Sequence, residues 1–143
     1  MSRKNILELI SMLLISLFVY ASVSKLMVFG DSLVRLKTSP LIGPFAHYLV
    51  WFIPAIEMLI TILLFVNTTR LIGFYASVVL LLLFTGYIFW VLNFSPRVPC
   101  SCGGVIEKLS WKEHIVFNLV FICMAVAGII FQKRLYNKPM TTK

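Results

Sequence analysis

Apolar residues fall into four long runs separated by short polar stretches. The runs cover residues 6–27, 46–66, 71–92 and 110–131, and about 20 apolar residues are enough to cross the hydrocarbon core of a bilayer as a helix. Backbone polar groups cannot remain unpaired in lipid, so runs of this length are predicted to be helical. The pattern therefore predicts an all-α polytopic membrane protein, with four transmembrane helices in a bundle that forms a single domain over 1–143.

The lengths of the connections predict how these helices follow one another. The second and third runs are separated only by the link 66–71, which makes them an antiparallel hairpin. The two longer connections, 28–45 and 93–109, then lie together at the opposite end. Within the first of these, residues 31–37 are predicted to form a short interfacial helix with Asp31 as its N-cap.

Composition and charge fit this interpretation. The chain is 60% hydrophobic and 13% charged, with a mean hydropathy of +0.97, whereas a soluble domain is about 45–50% apolar and about 25% charged. An ordinary soluble domain is therefore excluded. The net charge of +8 would suggest nucleic-acid binding in a soluble protein. Here the basic residues lie mainly between or beyond the apolar runs, so the expected partner is the lipid bilayer and no nucleic acid.

The placement of the basic residues predicts the orientation. They are denser at the end that holds both termini and the short link than in the two long connections. Basic residues concentrate on the cytoplasmic side, so both termini are expected in the cytoplasm and both long connections outside it. An alternative is a cleaved signal peptide ending near Ala21 and Ser22. Against it, the apolar run continues past the usual length and contains Glu8.

Two cysteines separated by one residue lie in the second long connection. Cys100 and Cys102 precede Gly103 and Gly104. A disulfide needs Cα atoms about 4.4–6.8 Å apart, so this bond requires a tight turn, which the glycines favour. So small a ring is strained, and strained, exposed disulfides exchange readily. The pattern therefore favours a redox-active pair.

Two alternatives for these cysteines stay open. A static bridge would rigidify the turn, although closing so short a loop stabilises a chain little. A metal site would join Cys100 and Cys102 with His47 and His114, a set that zinc or copper accepts. The spacing matches no zinc module, so no metal is assigned.

Small residues four apart predict close helix packing in two places. The pairs are Gly73 with Ser77 and Cys123 with Ala127. Cys123, the third cysteine, is accordingly expected to be a small packing residue at a helix interface. Its depth in the fourth run argues against the alternative, a resolving thiol.

Four polar residues in or beside the runs are candidates for chemistry. Glu57 lies inside the second run, where an ionisable group is costly and is a functional candidate by default. Lys25, at the end of the first run, is its expected partner because its stem can snorkel. His114 and Asn118 lie four apart on one helix face, and they either point towards the cysteine turn or hydrogen-bond to neighbouring helices. The Lys25–Glu57 pair either fixes helix packing or provides a proton-handling or quinone-facing carboxylate.

Taken together, these features resemble the methylamine utilisation protein MauE branch of the MauE/DoxX-like membrane proteins. The resemblance covers nearly the whole chain and rests on their order: Ser24 and Lys25 close the first run, Glu57 lies in the second, Pro99–Gly104 with its two cysteines precedes the fourth, and Asn118 lies within it. The family is associated with maturation of a disulfide-rich dehydrogenase subunit, usually beside a thioredoxin-like protein.

The resemblance implies a bacterial inner-membrane thiol–disulfide redox protein. Methylamine utilisation is the setting that the family's name gives, but MauE-type proteins also occur in bacteria without methylamine metabolism, so the resemblance does not by itself imply that pathway. The implied partner is a periplasmic thioredoxin-like protein or an exported disulfide-containing protein. The chain also resembles quinone-linked disulfide-forming enzymes, which makes a quinone a candidate cofactor, but three cysteines cannot supply the two pairs that such relays commonly use. The alternatives are a non-catalytic scaffold for such a partner and metal handling. The implied site residues are the redox pair Cys100 and Cys102, supported by Lys25, Glu57, His114 and Asn118.

Overall fold

The computed structural model describes residues 2–39, 42–94 and 111–138. In these residues the only regular secondary structure is helical, without strands, and four of the helices are long and apolar enough to cross a membrane. The predicted all-α architecture with four spanning helices is confirmed. The α-helices are α1 (Arg3–Met27), α2 (Phe29–Thr38), α3 (Ala46–Phe65), α4 (Arg70–Phe94) and α5 (Trp111–Tyr136), and a 3₁₀ turn (Gly43–Phe45) precedes α3.

The four long helices form a bundle in which each packs against two neighbours, in the ring order α1, α3, α4, α5. Neighbours in this ring run antiparallel, as expected for an up-down-up-down arrangement. Helices α1 and α4 end, and α3 and α5 begin, at one end of the bundle, which we call the long-loop end. The turn between α3 and α4 lies at the other end, which we call the terminus end.

The predicted hairpin between the second and third runs is confirmed. Helix α3 ends at Phe65 and α4 begins at Arg70. The last carbonyl groups of a helix lack hydrogen-bond donors within the helix. At the end of α3, side chains of the turn supply these donors. The Thr69 hydroxyl donates to the carbonyl of Leu63 at 3.0 Å, and Arg70 Nε donates to the carbonyl of Leu64 at 3.2 Å.

The apolar core lies in the half of the bundle nearer the terminus end. Its fully buried members come from all four spanning helices: Leu14, Leu64, Phe74 and Ala125. Next to Phe74, Gly73 brings α4 against α3 so closely that an added Cβ would lie 2.9 Å from the backbone nitrogen of Leu64. The close packing predicted at this glycine is confirmed, since small residues let helix backbones approach in membranes.

The packing role predicted for Cys123 is wrong. Its side chain is exposed on the outer surface of α5, while Ala125 and Gly128 face the core. A helix turns about 100° per residue, so Cys123 lies nearly opposite Ala125. The close approach on α5 occurs instead at Gly128, where an added Cβ would lie 2.5 Å from Cε1 of the Phe74 ring. Ala127 is only half-buried.

The interfacial helix predicted in the first long connection is present as α2, but its N-cap was predicted wrongly. Helix α2 begins at Phe29, so Asp31 lies in its first turn, where a carboxylate still favours the helix dipole. Only Val28 separates α2 from α1, and its N–H donates to the carbonyl of Ser24. At the other end of α2, the Ser39 hydroxyl is hydrogen-bonded to the Tyr87 hydroxyl of α4.

Candidate functional site

Lys25 and Glu57 form an ion pair between α1 and α3, as the sequence predicted. The Lys25 ammonium donates to Oε1 of Glu57. Glu57 is 1% exposed and the side chain of Lys25 14% exposed. Side chains tilt towards the N-terminus of their own helix. In two antiparallel helices, Lys25 therefore leans deeper into the bundle and Glu57 leans towards the long-loop end, so that they meet.

A second polar contact joins the same two helices. The Ser22 hydroxyl donates to the carbonyl of Pro54 at 3.2 Å, and Ser22 is completely buried. Lys25 lies one turn after Ser22, and Glu57 lies one turn after Pro54. The ion pair and this hydrogen bond therefore hold one short stretch of the α1–α3 interface. The sequence reasoning did not single out Ser22 as part of the site, because a serine inside an apolar run says nothing about which helix it faces.

The ion pair borders a small cavity that also contains the two predicted residues of α5. Its volume is about 40 Å³, and Lys25, Glu57, His114 and Asn118 all line it. His114 and Asn118 are each 6% exposed, so both are buried in the bundle. The structure thus brings together four of the six predicted site residues, one from α1, one from α3 and two from α5.

One oxygen of Glu57 lacks a hydrogen-bond partner in the part of the chain that the structure describes. This atom is Oε2, which is buried beside the small cavity. Leaving a buried carboxylate oxygen unpaired costs free energy. The cavity therefore has space for a hydrogen-bond donor next to Glu57, and Oε2 is the acceptor that such a donor would satisfy.

A wider cavity lies between α2, α3 and α4. Its volume is about 380 Å³, and its walls are mostly apolar. Phe52 and Leu83 line it and are more than half exposed, so it opens on the surface that faces lipid. The polar groups in its wall are hydrogen-bond donors. They are Lys25, Ser32, Arg35 and Tyr87.

Lys25 lines both cavities, and so does Phe84. The Lys25 ammonium lies 5.0 Å from the centroid of the Phe84 ring, a distance typical of a cation–π contact. The lysine therefore stands between the wide apolar cavity and the small polar one. Sequence reasoning missed Arg35 and Tyr87, because the wide cavity forms only when α2 folds back over α3 and α4.

The redox pair predicted at Cys100 and Cys102 lies outside the described residues. The segment that carries it leaves α4 at Phe94 and enters α5 at Trp111, so both of its attachments are at the long-loop end. His114 stands in the first turn of α5, at the same end.

The two histidines of the metal alternative are in different surroundings. His114 is buried beside the small cavity. His47 is exposed on the first turn of α3, where the centroid of its ring lies 6.1 Å from the centroid of the Tyr48 ring. Within the described residues no three His, Cys, Asp or Glu side chains group closely enough to hold a metal ion. The other two ligands of that set, Cys100 and Cys102, fall outside these residues.

Fold and site together define a class, the multi-pass membrane proteins with a four-helix bundle and a buried lysine–glutamate pair between its first two spans. Residues 3–131 match the family described as methylamine utilisation protein MauE. The match covers most of the chain, and the chain belongs to this family. Comparisons with curated proteins and with solved structures gave no match.

Proposed function

We propose that this protein is a thiol–disulfide redox protein of the bacterial inner membrane, acting within methylamine utilisation. It supports disulfide formation or transfer in exported proteins, or their maturation, through Cys100 and Cys102. The observation that carries the proposal is the position of the Cys-x-Cys sequence in a MauE-family chain. It lies in the connection attached at the long-loop end, the end at which His114 stands beside the Lys25–Glu57 cavity.

The exchange reaction needs two cysteines and a partner disulfide. The thiolate of one cysteine attacks the partner disulfide, forms a mixed disulfide and releases one partner thiolate. The second cysteine then attacks the mixed disulfide, closes the Cys100–Cys102 bond and releases the other partner thiolate. In this direction the partner is reduced by two electrons and the loop pair is oxidised. The reverse sequence, which disulfide formation uses, transfers the disulfide to the partner, oxidises it by two electrons and leaves Cys100 and Cys102 as thiols. We assign the first attack to Cys102, because its flanking glycines allow close approach.

Trapping the mixed disulfide tests this proposal. Cys100→Ser and Cys102→Ser each remove one thiol, so the variant that retains the attacking cysteine should accumulate a covalent complex with a periplasmic thioredoxin-like protein or an exported substrate. Cys123→Ser is the matched control, since Cys123 lies on the outer surface of α5, and it should behave as the wild type. If Cys100→Ser and Cys102→Ser both fully complement a deletion strain, the redox proposal is wrong.

The proposal requires the long-loop end to face the periplasm, with both termini in the cytoplasm. The denser basic residues at the terminus end support this orientation. A fluorescent protein that matures only in the cytoplasm, fused after Lys143, should fluoresce. Alkaline phosphatase, which is active only outside the cytoplasm, should be active when inserted in the first long connection and inactive after Lys143. The reversed pattern would exclude a periplasmic role for the cysteines.

The wide cavity is a candidate binding site for a membrane quinone, which would serve as the electron acceptor. Its volume lies within the range of about 300–1,000 Å³ seen for small-molecule sites, and its donors, Lys25, Arg35 and Tyr87, suit the carbonyl oxygens of such a ring. When bound, a quinone would take up the two electrons and two protons that the thiols of Cys100 and Cys102 lose when their disulfide forms.

Binding of a short-chain ubiquinone to the purified protein tests this fit. Leu83→Trp fills the wide cavity and should abolish binding. The matched control is Val79→Trp, one helical turn away on an exposed part of α4 that does not line the cavity. Equal binding by both variants would place any quinone site elsewhere.

The alternative function is a non-catalytic scaffold that docks an oxidoreductase or a thioredoxin-like protein. Helix α2 favours it, because its exposed residues Asp31, Val34 and Lys37 lie outside the spanning bundle. A scaffold would keep its function when both loop cysteines are replaced by serine and lose it when α2 is altered. The redox proposal expects loss of function with the cysteine replacements.

A further inference from the structure

Glu57 offers one carboxylate oxygen to Lys25 and leaves the other without a hydrogen-bond partner among the described residues. The side chain is 1% exposed. A buried carboxylate with an unsatisfied oxygen is stable only if water, another donor or a proton completes it. The ion pair by itself therefore does not explain how this group is accommodated.

The cavity beside Glu57 is large enough for water. A buried water needs about 10–15 Å³ of such space and two to four polar partners, and the cavity measures about 40 Å³. His114 and Asn118 supply polar partners on the α5 side, and Glu57 and Lys25 supply them on the opposite side. Water held in this cavity would thus bridge the carboxylate to α5.

These polar groups form a series that leads out of the bundle. Glu57 is the twelfth residue of α3, Asn118 the eighth of α5 and His114 the fourth. At 1.5 Å per residue, Glu57 lies about 16 Å along α3 from its start, and Asn118 and His114 lie about 10 and 4 Å along α5 from its start; both helices start at the long-loop end. The polar side chains therefore become progressively shallower towards that end.

We propose that Glu57 is a proton-exchange site, which binds and releases a proton through water held between it, Asn118 and His114. The reaction is Glu57 carboxylate plus hydronium giving the carboxylic acid plus water, with no other group oxidised or reduced. Lys25 pairs with the ionised form. The proposal goes beyond the thiol–disulfide function and uses none of the cysteines. Its test is therefore independent of the test of the redox function.

The groups that face Glu57 differ between the surrounding helices. Helix α1 contributes the Lys25 ammonium, and α5 contributes the His114 imidazole. Helix α4 contributes Leu81 and Phe84 to the lining of the small cavity. Arg35 of α2 and Tyr87 of α4 line the wide cavity on the far side of Lys25.

Infrared difference spectroscopy on the intact protein in lipid tests this proposal. Between about pH 9 and pH 4, a range that brackets the ordinary pKa values of glutamate and histidine, the carbonyl stretch of a protonated carboxyl group should appear. The component of that band that comes from a buried carboxyl group should be absent from Glu57→Gln and retained in Glu8→Gln, which should lose only the component of a hydrated carboxyl group because Glu8 is exposed near the terminus end. The same result should hold when Cys100 and Cys102 are both serine. Identical carboxyl bands in folded Glu57→Gln and in the wild type would overturn the proposal.

A second variant keeps the test decisive if Glu57→Gln does not fold. Asn118→Leu preserves the side-chain size and the ion pair but removes a polar partner of the water. The carboxyl band should then shift, and its deuterium exchange should slow relative to the wild type. An unchanged band with an unchanged exchange rate would show that water beside Asn118 does not serve Glu57.

Discussion

The Ser22 hydroxyl donates a hydrogen bond to the Pro54 carbonyl across the α1–α3 interface, at 3.2 Å. One turn further along each helix, Lys25 and Glu57 form their ion pair. Because the helices are antiparallel, these next turns lie on opposite sides of the Ser22–Pro54 level, about 9 Å apart along the bundle axis. The long side chains of Lys25 and Glu57 close that gap, so both contacts depend on one register of α1 against α3.

Ser22→Ala should destabilise the protein by about 0.6 kcal/mol and by no more than about 1.7 kcal/mol, the range measured for hydrogen bonds between membrane helices. The control is Ser11→Ala, since the buried Ser11 hydroxyl donates to the Leu7 carbonyl of its own helix at 2.9 Å. Equilibrium unfolding in mixed micelles should show a larger loss for Ser22→Ala. Equal losses would mean that the contact between helices adds nothing beyond burial.

Replacing one partner of the Lys25–Glu57 pair should cost more than replacing both. Removing one member of a buried ion pair costs about 3–5 kcal/mol because the other charge is left uncompensated, whereas apolar replacement of the pair is often nearly neutral. Lys25→Met and Glu57→Leu should therefore each destabilise strongly, and the double variant should recover most of the loss. Glu8→Gln, at an exposed site, should stay within about 0.5 kcal/mol of the wild type. Additive losses in a double-mutant cycle would contradict the coupling.

Two glycines of α4 provide a matched pair for testing helix packing. Gly73→Ala would place a Cβ 2.9 Å from the Leu64 backbone nitrogen, whereas a Cβ at Gly86 meets nothing within 4 Å. Overpacking should cost Gly73→Ala about 1–3 kcal/mol. Gly86→Ala should be neutral or stabilising by up to about 1 kcal/mol, because alanine favours a helix. Thermal unfolding of the two variants decides this, and similar midpoints would argue against a close α3–α4 contact.

Cys123 should react with reagents that dissolve in the membrane. Its side chain is exposed on the lipid-facing surface of α5, in the middle of that helix, where the thiolate is disfavoured, so a membrane-soluble carbene reagent activated by light should label it in intact membranes and a charged maleimide should not. Cys123→Ala should change the unfolding free energy by no more than about 0.5 kcal/mol, as expected for a surface substitution. Protection from the membrane-soluble reagent would place this side chain in a helix interface after all.

Sequence reasoning was most successful where length or charge constrains the chain. Four spans, the α3–α4 hairpin and the Lys25–Glu57 pair were all predicted correctly. The prediction that Asp31 is the N-cap failed because only Val28 separates α2 from α1. Helix α2 therefore begins at Phe29, two residues before Asp31. The prediction for Cys123 failed because the spacing of small residues does not say which face of α5 turns inwards.

The sequence by itself determined that this protein crosses a membrane four times, because the length of each apolar run must match the bilayer and its backbone must be internally hydrogen-bonded. Only the tertiary structure decided which side chains face each other. Lipid is as apolar as the core, so the hydrophobic pattern that marks the buried face of a helix in a soluble protein is weak in a spanning helix. The rotation of each helix about its axis, and with it the cavity shared by Glu57, His114 and Asn118, depends on packing between helices that lie far apart in sequence.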